Sequence, residues 1–211
     1  MSARWSLTLS ALLVASAVNA QERTECDEKN WWWGGWRGGP NSHVCEVREL
    51  TIPATGTLAV DAGPNGSIAV TGEARRDVQV HATVHAWAHD EAEAERIASA
   101  VNVRSDGVLR ADGPEQRGRN GWSVSYEVIS PREIDLSLET NNGSIGVTNV
   151  RGDLTLEATN GALSLDSAGG SVHGRTTNGG VDIELSGDTW DGAGLDVETT
   201  NGGVRLRVPE N

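Results

Sequence analysis

The chain has 211 residues, a formal net charge of −13 and 26 glycines, but no phenylalanine and one tyrosine. Nucleic-acid and anionic-membrane partners require clustered basic side chains, and here a single lysine accompanies arginines that are spread along the chain, so both partner classes are disfavoured. Many glycines with few aromatic residues indicate short strands and tight turns instead.

Residues 1–20 have the pattern of a signal peptide. Arg4 precedes an apolar run over residues 7–18, and Val18-Asn19-Ala20 has the small-residue pattern that signal peptidase cleaves. The run is shorter than the roughly 20 residues of a transmembrane helix, and no later segment is apolar over that length. We therefore expect cleavage near Ala20, a mature chain without a transmembrane segment, and a periplasmic or secreted location. An uncleaved membrane anchor is the alternative.

The next segment, residues 21–46, combines two cysteines with a tryptophan cluster. In an exported chain Cys26 and Cys45 predict one disulfide, with free thiols as the alternative. Exposed tryptophan is enriched at binding hot spots and stacks on sugar rings. The candidate partner-binding residues between the cysteines are Trp31, Trp32, Trp33, Trp36 and Arg37. Alternatively, these side chains fold back and cap the open end of the repeats described below.

Residues 47–208 form the predicted β domain, which opens with an imperfect repeat around Asn65-Gly66. Between residues 76 and 88 the even positions are apolar, which predicts a strand with one buried face. His81, His85 and His89 recur every four residues, as zinc ligands do on a helix. On a strand this spacing separates neighbours by roughly 13 Å, too far to share one ion. We expect solvent-facing histidines and no metal site.

A helix near residues 90–102 interrupts the strands. Asp90 and Glu93 form a capping box, and Ala94, Ile97 and Ala98 fall on one helical face. Strands near residues 107–111 and 122–129 follow, with a glycine-rich, charged loop at 113–121 between them.

Regular repeats occupy residues 136–208. Each repeat unit, which we call a frame, contains one Asn-Gly pair. The pairs are spaced by 18, 18 and 23 residues and are Asn142-Gly143, Asn160-Gly161, Asn178-Gly179 and Asn201-Gly202. Alternating apolar residues recur on both sides of each pair, as with Leu154 and Leu156 before Asn160 and Leu163 and Leu165 after it. One frame therefore contains two strands and two turns. The longest frame has extra residues near 188–192.

The period predicts an all-β fold, a repetitive β-solenoid with coils of about 18 residues, two strands per coil and one short inserted helix. In such a stack each coil must present its inward side chains to the next. Asn-Gly is also the strongest hairpin signal, since both residues accept positive φ in a type I′ turn. An antiparallel β-sandwich or meander is therefore the alternative. We interpret the turn asparagines as a structural ladder, because stacked amides satisfy one another.

Three features together resemble the bacterial putative-adhesin family, domain of unknown function 4097. They are the strand–helix–strand lead-in, the segment Val124–Val128 running into Pro131, and the repeated Thr-Asn-Gly frames. The resemblance covers roughly residues 47–208. It implies a β-solenoid at the cell envelope with no established enzyme activity, and it supplies no catalytic residues. The segment between Cys26 and Cys45 is not part of that pattern.

No catalytic motif stands out along the chain. The Gly-x-Ser-x-Gly elbow and the Gly-Gly-x-Gly-x-Asp calcium pattern are both missing from the sequence. Asp182 and Glu184 alternate on a predicted strand, and we interpret them as solubilising side chains.

The sequence predicts a non-catalytic exported interaction or scaffold protein of the cell envelope, adhesin-like, without cofactor, whose partner is a protein or a glycan. An envelope-stress sensing or regulatory component is the first alternative. A polysaccharide-active enzyme on a solenoid is the second.

Overall fold

The computed structural model describes residues 22–26, 42–185 and 192–208. Within them the chain is all-β with one helix. The strands before the repeats are β1 (Glu22–Glu25), β2 (Ser42–Pro53), β3 (Thr57–Asp61), β4 (Ile68–Glu73), β5 (Asp77–Ala88), β6 (Asn102–Ser105), β7 (Val108–Asp112) and β8 (Gly121–Pro131), with helix α1 (Glu91–Ala100) between β5 and β6. Those of the repeats are β9 (Asp135–Asn142), β10 (Ile145–Thr148), β11 (Arg151–Asn160), β12 (Leu163–Asp166), β13 (Gly169–Asn178), β14 (Val181–Glu184), β15 (Gly194–Asn201) and β16 (Val204–Arg207).

These strands form two open, mixed sheets. The nine-stranded sheet has the order β1-β2-β5-β8-β4-β10-β12-β14-β16, and the seven-stranded sheet has the order β15-β13-β11-β9-β3-β7-β6. Buried residues of both sheets, such as Leu154 of β11 and Leu163 of β12, belong to one hydrophobic cluster. Apolar side chains at alternate strand positions therefore build a shared core, as the period-2 pattern predicts.

The repeat strands pair in parallel with the equivalent strand of the next frame. In the seven-stranded sheet Leu136 pairs with Leu154, and Leu154 pairs with Val172. In the nine-stranded sheet Leu163 pairs with Ile145 and Val181. The antiparallel alternative is thus wrong for the repeats, because each frame sends one strand to each sheet instead of closing a hairpin.

The Asn-Gly pairs do not use the left-handed backbone of a type I′ turn. None of the asparagines and glycines of the four pairs has a positive φ, whereas Asn149 and Ser167, in the second turn of their frames, do. Glycine is required for a different reason. A Cβ on Gly161 would lie 1.7 Å from the carbonyl oxygen of Gly143, and one on Gly179 would lie 2.0 Å from that of Gly161. Close stacking of successive frames leaves no space for a side chain.

The imperfect repeat around Asn65-Gly66 is the first member of the stack. Its strands β3 and β4 pair in parallel with β9 and β10. A Cβ on Gly143 would lie 1.9 Å from the carbonyl oxygen of Gly66, the same approach as in the later frames. Strands β5 to β8 and α1 are therefore an insertion between two frames that are adjacent in space.

The part of the chain outside the frames, which we call the lead-in, comprises β1, β2, β5 to β8 and α1. It is organised differently, because β2 pairs antiparallel with β5 and β5 pairs antiparallel with β8. The Asp90 half of the predicted capping box is confirmed, since the Asp90 side chain accepts a hydrogen bond from the backbone N–H of Glu93 at 2.8 Å. The helix ends two residues earlier than the predicted range, because Asn102 begins β6. Its buried face, formed by Ala94, Ile97 and Ala98, packs against Ala86 and Ala88 at the C-terminal end of β5.

No helix among the described residues has the length and apolar character that a membrane crossing requires.

Candidate binding surface

The N-terminal segment is fixed to the edge of the nine-stranded sheet. A disulfide joins Cys26 to Cys45, whose Cα atoms are 5.6 Å apart, as the sequence predicts. Next to it β1 pairs antiparallel with β2, with Thr24 opposite Val47. The residues on either side of the segment 27–41, Cys26 and Ser42, therefore both lie at this edge of the sheet. The tryptophans predicted to bind a partner, Trp31, Trp32, Trp33 and Trp36, lie with Arg37 outside the described residues.

Two histidines lie beside the disulfide on the outer face of the sheet. Strand register places His85 opposite Cys45 and His43 opposite Trp87. The His85 Nε2 atom is 4.0 Å from the Cys45 sulfur. Burial and, to a smaller extent, the charge of His43 lower the pKa of His85 from its usual 6.5. The imidazole of His85 is therefore neutral at pH 7.

Trp87 extends this face toward β8. Its indole covers Gly121, since a Cβ built on that glycine would lie 2.6 Å from Trp87 Cζ2. The glycine is buried in consequence. We call the surface formed by Cys26, Cys45, His43, His85 and Trp87 the disulfide patch. The indole and the oxidised sulfur pair provide packing but no thiolate, because a disulfide has no thiolate form. The imidazole of His85 adds a hydrogen-bonding group.

The other predicted histidine positions are separated from the patch. His81 is half-buried on the same face of β5, where its Nε2 atom lies 3.9 Å from a carboxylate oxygen of Glu49 and 3.1 Å from the side-chain nitrogen of Gln79. His89 is exposed and follows the end of β5. His81 and His85 lie on the outward face of β5, as expected for solvent-facing residues, but both are only partly exposed, whereas His89 is exposed. Among the residues that the structure describes, no three His, Cys, Asp or Glu side chains are grouped as metal ligands.

The turn asparagines form a continuous amide ladder. Asn160 donates to the side-chain oxygen of Asn142 at 2.7 Å, and Asn178 donates to that of Asn160 at 2.7 Å. Asn201 continues the row by donating to Asn178 at 2.9 Å, and Asn142 donates to Asn65 at 3.2 Å. Each side chain thus uses its amide on its neighbours in the stack.

The carboxylates of β14 are engaged in ion pairs. Asp182 contacts Arg205 at 3.2 Å and Arg207 at 3.0 Å, and Glu184 contacts Arg207 at 3.3 Å. All four side chains lie on the outward face of the last two strands of the sheet. This arrangement is that of an exposed charge network and not of a carboxylate pair poised on a substrate.

Sequence reasoning did not identify Trp87 and His43 as neighbours of the disulfide. Alternation along β5 places Trp87 on the same face as His85, and this signal was available. The register that brings β2 beside β5 was not, because it depends on pairing between strands that are 40 residues apart at Cys45 and His85.

Comparison with known proteins gives distant structural likeness only. No family model and no curated protein matches the chain. A putative cell adhesion protein from Clostridium sporogenes is 9% identical, with coverage of 77% of this chain and 98% of that one and a TM-score of 0.39. A putative adhesin from Parabacteroides merdae is 12% identical, with coverage of 81% and 98% and a TM-score of 0.28. A putative lipid binding protein from Parabacteroides distasonis is 7% identical, with coverage of 81% and 98% and a TM-score of 0.26. At these TM-scores the likeness assigns neither a fold family nor a function.

Proposed function

We propose that this chain is a non-catalytic interaction protein of the cell envelope, exported by a signal peptide that is cleaved near Ala20 and adhesin-like in its action. Its repeats serve as a β-solenoid scaffold. The parallel register of successive frames in both sheets supports this role. A stack in which each frame pairs with its neighbours is rigid along its length, and a rigid scaffold lowers the ordering cost of binding.

Specificity resides in the N-terminal segment, through Trp31, Trp32, Trp33, Trp36 and Arg37. The observation that carries this proposal is the disulfide that fixes both ends of the segment beside His85 and Trp87. Aromatic side chains bury large apolar areas and stack on planar or sugar ligands. The outward faces of the repeats, in contrast, present small polar and charged residues at repeated positions, such as Thr155, Glu157 and Thr177.

The experiment measures retention of glycans on an array and of proteins from an envelope extract by the immobilised mature chain. Changing Trp32, Trp33 and Trp36 together to Ala is expected to abolish retention while the melting temperature changes by less than about 4 °C. The matched control is the triple variant Thr155→Ala, Glu157→Ala and Thr177→Ala, which removes three exposed side chains from the repeats. It is expected to bind like the unmodified chain.

Two outcomes contradict this proposal. If the tryptophan variant melts much earlier and its folded fraction still binds, the tryptophans are a cap of the fold. If the mature chain cleaves members of a polysaccharide panel, the protein is an enzyme. The nature of the retained molecule separates an adhesin, which binds a surface glycan or protein, from a regulator, which binds an envelope signalling protein.

A further inference from the structure

The core is open at the end of the stack formed by β15 and β16, which we call the terminal frame. Val204 and Leu206 are 54% and 51% exposed. Their partners in the preceding frame, Val181 and Ile183, are each 1% exposed. Among the described residues, no further layer of strands therefore covers the inward side chains of β16 in the way that each earlier frame is covered by the next.

The two strands of the terminal frame are also edge strands. β15 ends the seven-stranded sheet and β16 ends the nine-stranded sheet. An edge strand presents unpaired backbone N–H and C=O groups that can pair with another strand. At the opposite end of the described structure, α1 packs under β2 and β5 and buries Ala94, Ile97 and Ala98. The terminal frame is thus where a further layer of strands can be added.

The outward charges of the terminal frame are segregated by strand. β15 carries Asp196 and Glu198, and β16 carries Arg205 and Arg207. Glu198, Arg205 and Arg207 each contact an oppositely charged residue of the preceding frame, and Asp196 lies 3.8 Å from His173. All four side chains remain more than half exposed. One edge is therefore acidic and the other basic, and each retains capacity for a second ion pair.

We propose that the terminal frame binds the terminal frame of a second copy of this chain, in a two-fold dimer that pairs β15 with β16 of the other copy. A two-fold interface is self-complementary, so the pairing occurs twice. It places the acidic edge against the basic edge on both sides. Pairing of β15 with β15 and β16 with β16 is disfavoured, since like charges would face one another across the strands. Both sheets continue through the dimer, and the exposed apolar residues join the two cores.

The charge pattern provides the test. Sedimentation of the mature chain over a range of concentrations is expected to show a monomer–dimer equilibrium. The double variant Arg205→Glu/Arg207→Glu makes both edges acidic, and Asp196→Arg/Glu198→Arg makes both basic. Each is expected to raise the dimer dissociation constant at least about tenfold. Reversing two exposed carboxylates of β11, with Asp153→Arg/Glu157→Arg, is the matched control and leaves the equilibrium unchanged.

The quadruple variant that carries all four reversals decides the geometry. It has the same intramolecular repulsions as the two double variants, but it again has one acidic and one basic edge, so the dimer is expected to return. Amides of β15 and β16 gain protection from hydrogen exchange as concentration rises.

Three results overturn the proposal. They are a monomer at every concentration, a dimer that neither double variant weakens, and a quadruple variant as weak as the doubles. If the chain is a monomer and the amides of β15 and β16 are protected from hydrogen exchange at all concentrations, another part of the same chain covers the end of the core. The proposal is independent of glycan or protein retention by the N-terminal segment.

Discussion

The repeats and the lead-in strands are held together by contacts of different kinds. In the repeats Leu163 lies in one parallel row with Ile145 and Val181, so a given position meets the same environment above and below it. In the lead-in, β2 pairs antiparallel with β5 and contains Arg48, a fully buried cation. Repetition makes every frame depend on its neighbours at equivalent positions, whereas the lead-in depends on contacts that occur once.

The largest loss of stability is expected where a charge enters a repeated row. Leu163 is completely buried, and Leu163→Asp places a carboxylate between two apolar layers. A buried charge without a partner is among the most destabilising changes, and we expect a loss of more than about 4 kcal/mol. The control is Asp182→Asn, which changes two exposed ion pairs and should alter stability by about 0.5 kcal/mol or less. Equal thermal midpoints for the two variants would contradict the inward register of the repeats.

The corresponding test of the lead-in is Arg48. Its guanidinium donates to the carbonyl oxygens of Val101 and Ala98 at the end of α1, the latter at 2.6 Å, and to Glu46 at 3.0 Å. Arg48→Met removes these three hydrogen bonds, and we expect a loss of about 3 kcal/mol together with faster hydrogen exchange in the helix.

Two further variants make that result specific. Arg48→Lys should recover only part of the loss, since one ammonium cannot reproduce the fork geometry of the guanidinium. Arg75→Met, which removes a more exposed ion pair to Asp77, is the control. A loss of stability in Arg48→Met that leaves helix protection unchanged would refute the role of Arg48 at the helix end.

Glycine substitutions in the repeats test whether glycine is required for close stacking of the frames or for the conformation of the turn. A Cβ on Gly179 would lie 2.0 Å from the carbonyl oxygen of Gly161, and we expect Gly179→Ala to lose about 1–3 kcal/mol because the frames must move apart. The matched control is Gly180→Ala, whose Cβ would be 3.6 Å from the nearest atom, the carbonyl oxygen of Gly203. Ala162 already occupies the equivalent position one frame earlier. Similar unfolding curves for both variants would show that stacking does not select the glycine.

The sequence reveals the repeats better than the lead-in for a physical reason. Inward residues such as Leu154 and Leu163 recur at a fixed period, because equivalent positions pack in the same way in every frame. The adjacency of Asn65 and Asn142 is not visible locally, since 77 residues separate them along the chain. The sequence does not distinguish positive φ from close approach as the reason for the glycine, because both causes select the same residue.

The contacts of the lead-in and of the disulfide patch are even harder to predict from the sequence. Burial of Arg48 depends on where the helix end meets β2, and the contact between Cys45 and His85 depends on strand register. Neither has a periodic signature in the sequence.

A pH titration of stability is expected to show a small effect from the disulfide patch. The pKa of His85 is lowered from 6.5 in the folded chain, so the unfolded chain binds the proton first as the pH falls. The contribution of His85 to stability is therefore present above about pH 6.5 and is lost as the pH falls through the folded pKa. Chemical denaturation between about pH 7.5 and about pH 5.5 should show a smaller decline for His85→Gln than for the unmodified chain. Parallel declines would mean that His85 titrates alike in both states.

The smallest expected effect is a gain, from completing a hydrogen-bond row that one frame lacks. Thr140 donates to the carbonyl oxygen of Gly66 at 2.6 Å, Thr176 donates to that of Gly161 at 2.8 Å, and Thr199 donates to that of Gly179 at 2.8 Å. Strand register places Ala158 at the equivalent position of β11, between Thr140 and Thr176. Ala158→Thr would therefore direct a hydroxyl at the carbonyl oxygen of Gly143. A net hydrogen bond of this kind contributes about 1 kcal/mol, measured as a rise in the denaturation midpoint.

Ala158→Val is the matched control, because valine has the shape and strand preference of threonine without the donor. If the valine variant gains as much as the threonine variant, the stabilisation comes from packing and the row of threonine hydroxyls contributes nothing to the stack.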